Sequence, residues 1–159
     1  MTMADTRKSP DKGLHKDAVQ YAALPWRRTA DGEVCVLLIT SRETRRWVIP
    51  KGWPMKGRTP AEAAAQEAFE EAGVTGRTDA QPLGAYDYGK RLRQGLVQDV
   101  RVLVFALEVT AEQPAWPEQA QREKLWTSPA EAALLVEEPD LQALLRGFAA
   151  PPATGATKG

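Results

Sequence analysis

The chain has 159 residues, 43% of them hydrophobic, which is enough for one globular domain with a real core. Lysine plus arginine and aspartate plus glutamate balance at 21 each, so the overall positive charge expected of a nucleic-acid binder is missing. One cysteine, Cys35, rules out an internal disulfide and fits a reducing, cytoplasmic setting, and the one histidine, His15, argues against a histidine zinc site or a Ser-His-Asp triad.

The N-terminus, "MTMADTRKSPDKGLHKD", is polar and lacks the apolar centre of a signal peptide. The C-terminus, "AAPPATGATKG", is made of small residues, proline, glycine and one lysine. The expected division is a disordered tail over 1–16, a folded domain over 17–148 and a second disordered tail over 149–159. No stretch is long and apolar enough for a membrane span, so no membrane partner is expected.

In chain order, Ala18–Leu24 reads as a first strand. Glu33–Thr40 is a stronger one, β-branched and opened by the turn pair Asp31-Gly32; Cys35 within it reads as a buried, inert thiol. Trp47–Pro50 is short and extended, and Lys51–Arg58 is a loop with two glycines and a proline. A helix follows over Pro60–Ala72: Thr59 caps it, Pro60 suits its first position, Glu62 completes a capping box, and Gly73 suits a left-handed stop. Leu83–Tyr88 reads as a strand. Gln98–Thr110 is a longer one whose middle is apolar on both faces, which implies a central place in a sheet. Lys124–Ser128 is a short strand, Ser128-Pro129 opens a helix, and Pro139–Phe148 is a last helix. The fold class is α/β, with helices on the faces of a sheet and no regular doubly wound alternation.

The helix over Pro60–Ala72 carries Glu67, Glu70 and Glu71 at i, i+3 and i+4, hence on one face, while Ala61, Ala64, Ala65, Ala68 and Ala72 form a stripe narrow enough to lie against a sheet. A solvated acidic face is the ordinary reading of such a pattern. Two features oppose it: no lysine or arginine stands one turn away, and negative charge in the last turns opposes the helix dipole. A hard divalent cation, Mg²⁺ or Mn²⁺, resolves both. The flanking loops are basic. Arg42, Arg45, Arg46, Lys51, Lys56 and Arg58 precede the helix with Glu43 alone against them, and Lys90, Arg91 and Arg93 follow it. Acidic helix and basic loops together match a metal-dependent site for a polyphosphate. Trp53, Tyr86 and Tyr88 are candidates for stacking on a base, although packing in the core or at a rim is the commoner use of each.

From Gly52 to Val74 the chain resembles the Nudix box, Gly-x5-Glu-x7-Arg-Glu-U-x-Glu-Glu-x-Gly-U with U apolar. Gly52, Glu67, Ala68, Glu70, Glu71, Gly73 and Val74 match; Arg58 stands at the first Glu position and Gln66 at the Arg position. In the family those two positions can form an ion pair; here Arg58 is left to bond Gln66, Glu67 or a substrate phosphate. "SRETRRWVIPKGWP" and "REKLWTSPAEAALLVEEPDLQALLRGF" resemble the branch that holds diphosphoinositol polyphosphate phosphohydrolases and diadenosine polyphosphate hydrolases.

The resemblance implies a Nudix-type α/β/α sandwich with a mixed β-sheet, acting as a metal-dependent pyrophosphohydrolase on a small phosphate-rich substrate. It implies Glu67 and Glu71 as metal ligands, Glu70 as a third ligand or the general base, and the Gly52 carbonyl completing the coordination. It also implies substrate contacts from Ser41, Arg42, Lys51, Lys90, Arg91 and Arg122, to which the charge pattern adds Arg93, and Arg58 stands with them. The altered box positions leave a second reading open, a non-catalytic Nudix domain that senses a nucleotide or phosphorylated ligand. Oligomeric state has no signature in the sequence.

Overall fold

The computed structural model describes residues 18–151 of the chain; both expected tails, His15 included, fall largely or wholly outside that span. The strands are β1 (Val19–Arg28), β2 (Val34–Thr40), β3 (Trp47–Val48), β4 (Lys51–Gly52), β5 (Val74–Thr78), β6 (Gly84–Arg91), β7 (Val97–Glu112) and β8 (Lys124–Thr127). The helices are α1 (Pro60–Ala72), α2 (Pro129–Leu135) and α3 (Pro139–Arg146), with 3-10 turns at Arg93–Gly95 and Gln119–Gln121.

The eight-stranded sheet has the order β3-β2-β1-β7-β5, with β4 paired to β1, β6 to β7 and β8 to β2. It is mixed. β1 and β7 run parallel, Val19 opposite Arg101 through Trp26 opposite Glu108, while the other pairings are antiparallel. β7 is central, as its doubly apolar middle implies: Val102, Val104 and Ala106 face one side of the sheet and Phe105 and Leu107 the other.

The same two-residue alternation divides the whole core. Ala22, Leu24, Val36 and Leu38 pack with Ala132, Ala133, Val136, Leu141 and Leu145 of the α2–α3 segment. Ala23, Leu37 and Ile39 pack with Ala64, Ala68 and Ala72 of α1 on the opposite face. The result is an α/β/α sandwich. The alanine stripe does what its side-chain size allows, bringing the α1 backbone close to the sheet and turning the glutamate face toward its edge.

α1 begins and ends where its sequence dictates. The Thr59 hydroxyl accepts from the Glu62 N–H at 3.1 Å and the Glu62 carboxylate accepts from the Thr59 N–H at 2.9 Å, closing the capping box. Gly73 stops the helix at φ 71°, ψ 24°, its N–H bonded to the Phe69 carbonyl.

Several elements run past their expected bounds. β1 continues through Pro25 to Arg28 because its outer neighbour changes there, from β4 opposite Tyr21 and Ala22 to β2 opposite Trp26, so no ladder bond is lost at the proline. β5, which holds Gly76 and little apolar surface, has no strand signal of its own; it forms along the free edge of the long β7, with a register shift at Thr75/Gly76. Lys51 and Gly52 leave the expected loop to pair with β1 as β4. Beyond Phe148, Ala150 packs against the core, and Arg28 Nη2 donates to the Pro151 carbonyl at 2.5 Å.

Candidate active site

At the edge of the sheet, between α1, the loop after β2, β4 and the end of β6, lies a cleft of about 600 Å³. Glu67 and Glu71 of α1 line it, as do Gly52, Ser41, Arg42, Arg46, Lys51, Lys90, Arg91, Glu118 and Arg122. Of the site residues read from the sequence, Gly52, Glu67, Glu71, Ser41, Arg42, Lys51, Lys90, Arg91 and Arg122 therefore meet in one place.

Glu70, Arg58 and Arg93 are not among the cleft-lining residues. Glu70 accepts a hydrogen bond from Gln66 Nε2 at 2.8 Å along its own helix. Gln66 thus bonds Glu70, not Arg58, and Arg58 lies exposed before Thr59. Arg93 sits exposed in the 3-10 turn beyond β6.

The acidic part of the cleft is desolvated. The Glu71 side chain is only 9% exposed, and burial pushes its carboxyl up to about 8, the neighbouring Arg122 guanidinium opposing and the bond to Glu67 adding to the rise. Burial also raises the Glu67 carboxyl, partly offset by the hydrogen bond it accepts from Glu71. Gly52 makes room for the pair, since a Cβ built on it would collide with the Glu67 carboxylate.

These donors fit a hard cation. Two buried carboxylates in a cleft suit Mg²⁺, which keeps several waters and takes few protein ligands. Among the described residues no group of three or more His, Cys, Asp and Glu side chains is placed to hold a metal ion.

Sequence reasoning missed Glu118. It lies on the segment after β7, lines the cleft, and its charge acts on Glu67. Its backbone N–H donates to the Glu70 carbonyl at 3.0 Å, which brings a loop carboxylate to the helix. No spacing rule finds it; the fold alone supplies the contact. Arg46, read only as one of a basic cluster, also lines the cleft and is held by Glu138 at 2.7 Å and Glu137 at 3.7 Å. Burial would lower its guanidinium, but the bond to Glu138 and the charges of Glu138 and Glu137 outweigh that and raise it.

The basic wall is varied. Lys51 Nζ stands 4.7 Å over the Tyr88 ring, whose hydroxyl donates to Gln20 Oε1 at 2.8 Å. Burial lowers the Lys51 ammonium, and the nearby Glu71 offsets part of that. Ser41 Oγ is engaged with Thr44 Oγ1 at 2.7 Å, so it shapes the loop that carries Arg42. Of the aromatic candidates, Tyr86 is buried in the core, whereas Trp53 (40% exposed) and Tyr88 border the cleft.

Comparison with known proteins agrees with this geometry. The NUDIX domain model matches residues 19–148. Nudix hydrolase 12, mitochondrial, of Arabidopsis thaliana is 36% identical over 118 residues, covering 71% of this chain and 57% of that protein. Diphosphoinositol polyphosphate phosphohydrolase 3-alpha of Mus musculus is 31% identical over 123 residues, covering 76% of this chain and 68% of that protein. The chain spans between about half and two thirds of the length of such curated relatives. Among solved structures, a C. elegans Ap4A hydrolase binary complex shares the fold at TM-score 0.59 and 20% identity, over 81% of this chain and 93% of that one. The NUDIX domain of Shewanella oneidensis NrtR, complexed with ADP-ribose, does so at TM-score 0.61 and 13% identity, over 87% and 90%. With the box residues in place on α1 and the family model covering nearly all of the described chain, this protein belongs to the Nudix family.

Proposed function

We propose that the chain hydrolyses a pyrophosphate bond in a small, phosphate-rich substrate, using Mg²⁺ or Mn²⁺ held by Glu67 and Glu71. The observation that carries this reading is a buried carboxyl pair in a cleft also lined by Arg42, Arg46, Lys51, Lys90 and Arg91. Such a juxtaposition suits a ligand whose phosphates are shared between a metal and basic side chains. The substrate class we favour is a diphosphoinositol polyphosphate or a diadenosine polyphosphate. The mouse relative's name points to the first and the C. elegans fold neighbour's to the second.

The bound cation would supply charge against the phosphate oxygens and lower the pKa of a coordinated water. The chain's own residues do the rest. Glu67 and Glu71, with the Gly52 carbonyl, hold the acidic end of the cleft. Arg42, Lys51, Lys90 and Arg91 hold the phosphates and the charge that develops on the leaving group. Glu118 is the carboxylate best placed to take a proton from water, because it lines the cleft and Glu70 does not.

The sensor reading draws on one observation, that Glu70, a box carboxylate, is bonded to Gln66 outside the cleft lining. Phosphate release with Mg²⁺ or Mn²⁺ separates the two readings, measured across a diphosphoinositol polyphosphate, diadenosine polyphosphates and nucleotide sugars. Turnover that disappears in Glu67→Gln and Glu71→Gln supports the hydrolase. Binding of one of these ligands with no turnover of any would sink it and leave the sensor.

A further inference from the structure

The Arg122 guanidinium is engaged with protein oxygens on three sides. Its Nε donates to Glu118 Oε1 at 2.7 Å, its Nη1 donates to the Thr40 carbonyl at 3.0 Å, and its Nη2 lies 3.8 Å from Glu71 Oε1. All three nitrogens thus face protein oxygens, and only 9% of the side chain is exposed. Two other basic residues of the cleft differ: Arg91 is exposed, and Arg42 reaches only the Gln121 side chain, at 3.3 Å.

The backbone around Arg122 is fixed on both sides. Thr40 N–H donates to the Glu123 carbonyl at 3.1 Å, and Glu123 N–H donates to Thr40 Oγ1 at 2.9 Å. Thr40 closes β2 and is buried, so the guanidinium projects from a rigid base. Upstream, the Trp116 ring lies against Gly73, and the Glu118 N–H bonds the end of α1. Arg122 therefore bridges a carboxylate of the loop and a carboxylate of the helix from an anchor in the sheet.

We infer that Arg122 is a positioning residue: it fixes Glu118 opposite Glu71 at the acidic end of the cleft. A planar fork spreads its donors over three nitrogens and can hold two carboxylates and a carbonyl that lie apart; a lysine ammonium gathers its three donors on one nitrogen and does not span them. The inference rests on the reading of Glu67, Glu71 and Glu118 as the cation-holding and proton-accepting groups.

The test uses the full chain, with Mn²⁺ alone as probe, followed by free-ion spin resonance at fixed pH, and then steady-state kinetics. Arg122→Lys keeps charge and stem and is the variant on which the result is read; Arg122→Gln accompanies it, with circular dichroism to check folding. We expect Mn²⁺ affinity to fall roughly 10-fold in both and kcat roughly 10- to 100-fold, with KM within about a factor of two. In a Glu118→Gln background, Arg122→Lys should lower kcat little further, because the group it acts through has gone. Arg91→Gln gives the contrasting pattern: raised KM and unchanged Mn²⁺ affinity. If Arg122→Lys behaves like Arg91→Gln, the inference is overturned and Arg122 is a phosphate ligand. A wild-type chain that binds Mn²⁺ and turns nothing over would remove the hydrolase reading alone, since the Mn²⁺ comparison needs no turnover.

Discussion

A methyl group on Gly52 would take the place of the Glu67 carboxylate: the Cβ built there collides with Oε2, Cδ and Cγ of that side chain. Gly52 does not have positive φ, so an alanine would fit the backbone, and its closest conflicts are all with Glu67. Gly52→Ala should therefore leave a folded protein that has lost its acidic pair. We expect Mn²⁺ affinity and turnover each to drop by roughly 100-fold, with unfolding by urea shifted by less than about 1.5 kcal/mol. An unaltered Mn²⁺ titration would show that Glu67 has no part in holding the cation.

The buried Glu71 carboxyl makes stability depend on pH in the absence of metal. Its folded value, about 8, lies above the ordinary carboxylate value, so the folded chain binds more protons than the unfolded one between about pH 4.5 and 8. Its contribution is thus complete below the unfolded pKa and is lost as pH rises through the folded one. Thermal unfolding in a chelator should show stability falling across this window by on the order of 2 kcal/mol, with the decline flattened in Glu71→Gln. Saturating Mg²⁺ should restore stability most at the alkaline end, because the cation binds the ionised pair.

Gly73 is constrained twice, by its φ of 71° and by the Trp116 ring that fills the space a Cβ would need. Gly73→Ala should cost about 2–3 kcal/mol in urea unfolding, from left-handed strain and from displacement of the ring. Trp116→Ala opens that space, so the double variant should be less destabilised than the sum of the two. Strict additivity would mean that the backbone strain accounts for the whole effect.

On the proposed mechanism Glu118 takes the proton-accepting role that motif position alone would give Glu70. Glu70→Gln keeps the hydrogen bond to Gln66 within reach and should lower kcat by less than about fivefold, whereas Glu118→Gln should lower it by about 100-fold or more. A large loss in Glu70→Gln beside a small one in Glu118→Gln would return the proton-accepting role to the helix.

Local chemistry made part of this structure legible. α1 was delimited to the residue because capping box, N1 proline and left-handed glycine all act within a turn of the helix ends. The central place of β7 followed from its two apolar faces. Gly52, Glu67 and Glu71 were readable because they share one motif with fixed spacing. Glu118 and the internal commitment of Arg122 were not, since both depend on a loop after β7 folding back onto α1 and the end of β2. β5 was missed because its partner strand, not its own composition, makes it a strand.

The parallel pairing of β1 with β7 sets an order of events during synthesis. Val19 must wait for Arg101, and Thr40 for Glu123, before either finds its partner. Until the ribosome has released the chain past Arg122, α1 has its carboxylates but only part of the sheet beneath it and no guanidinium beside it. Such long-range closure folds slowly, and it makes the cleft one of the last features to mature. A truncated chain ending before Arg122 would then carry every residue of the Nudix motif without an assembled site.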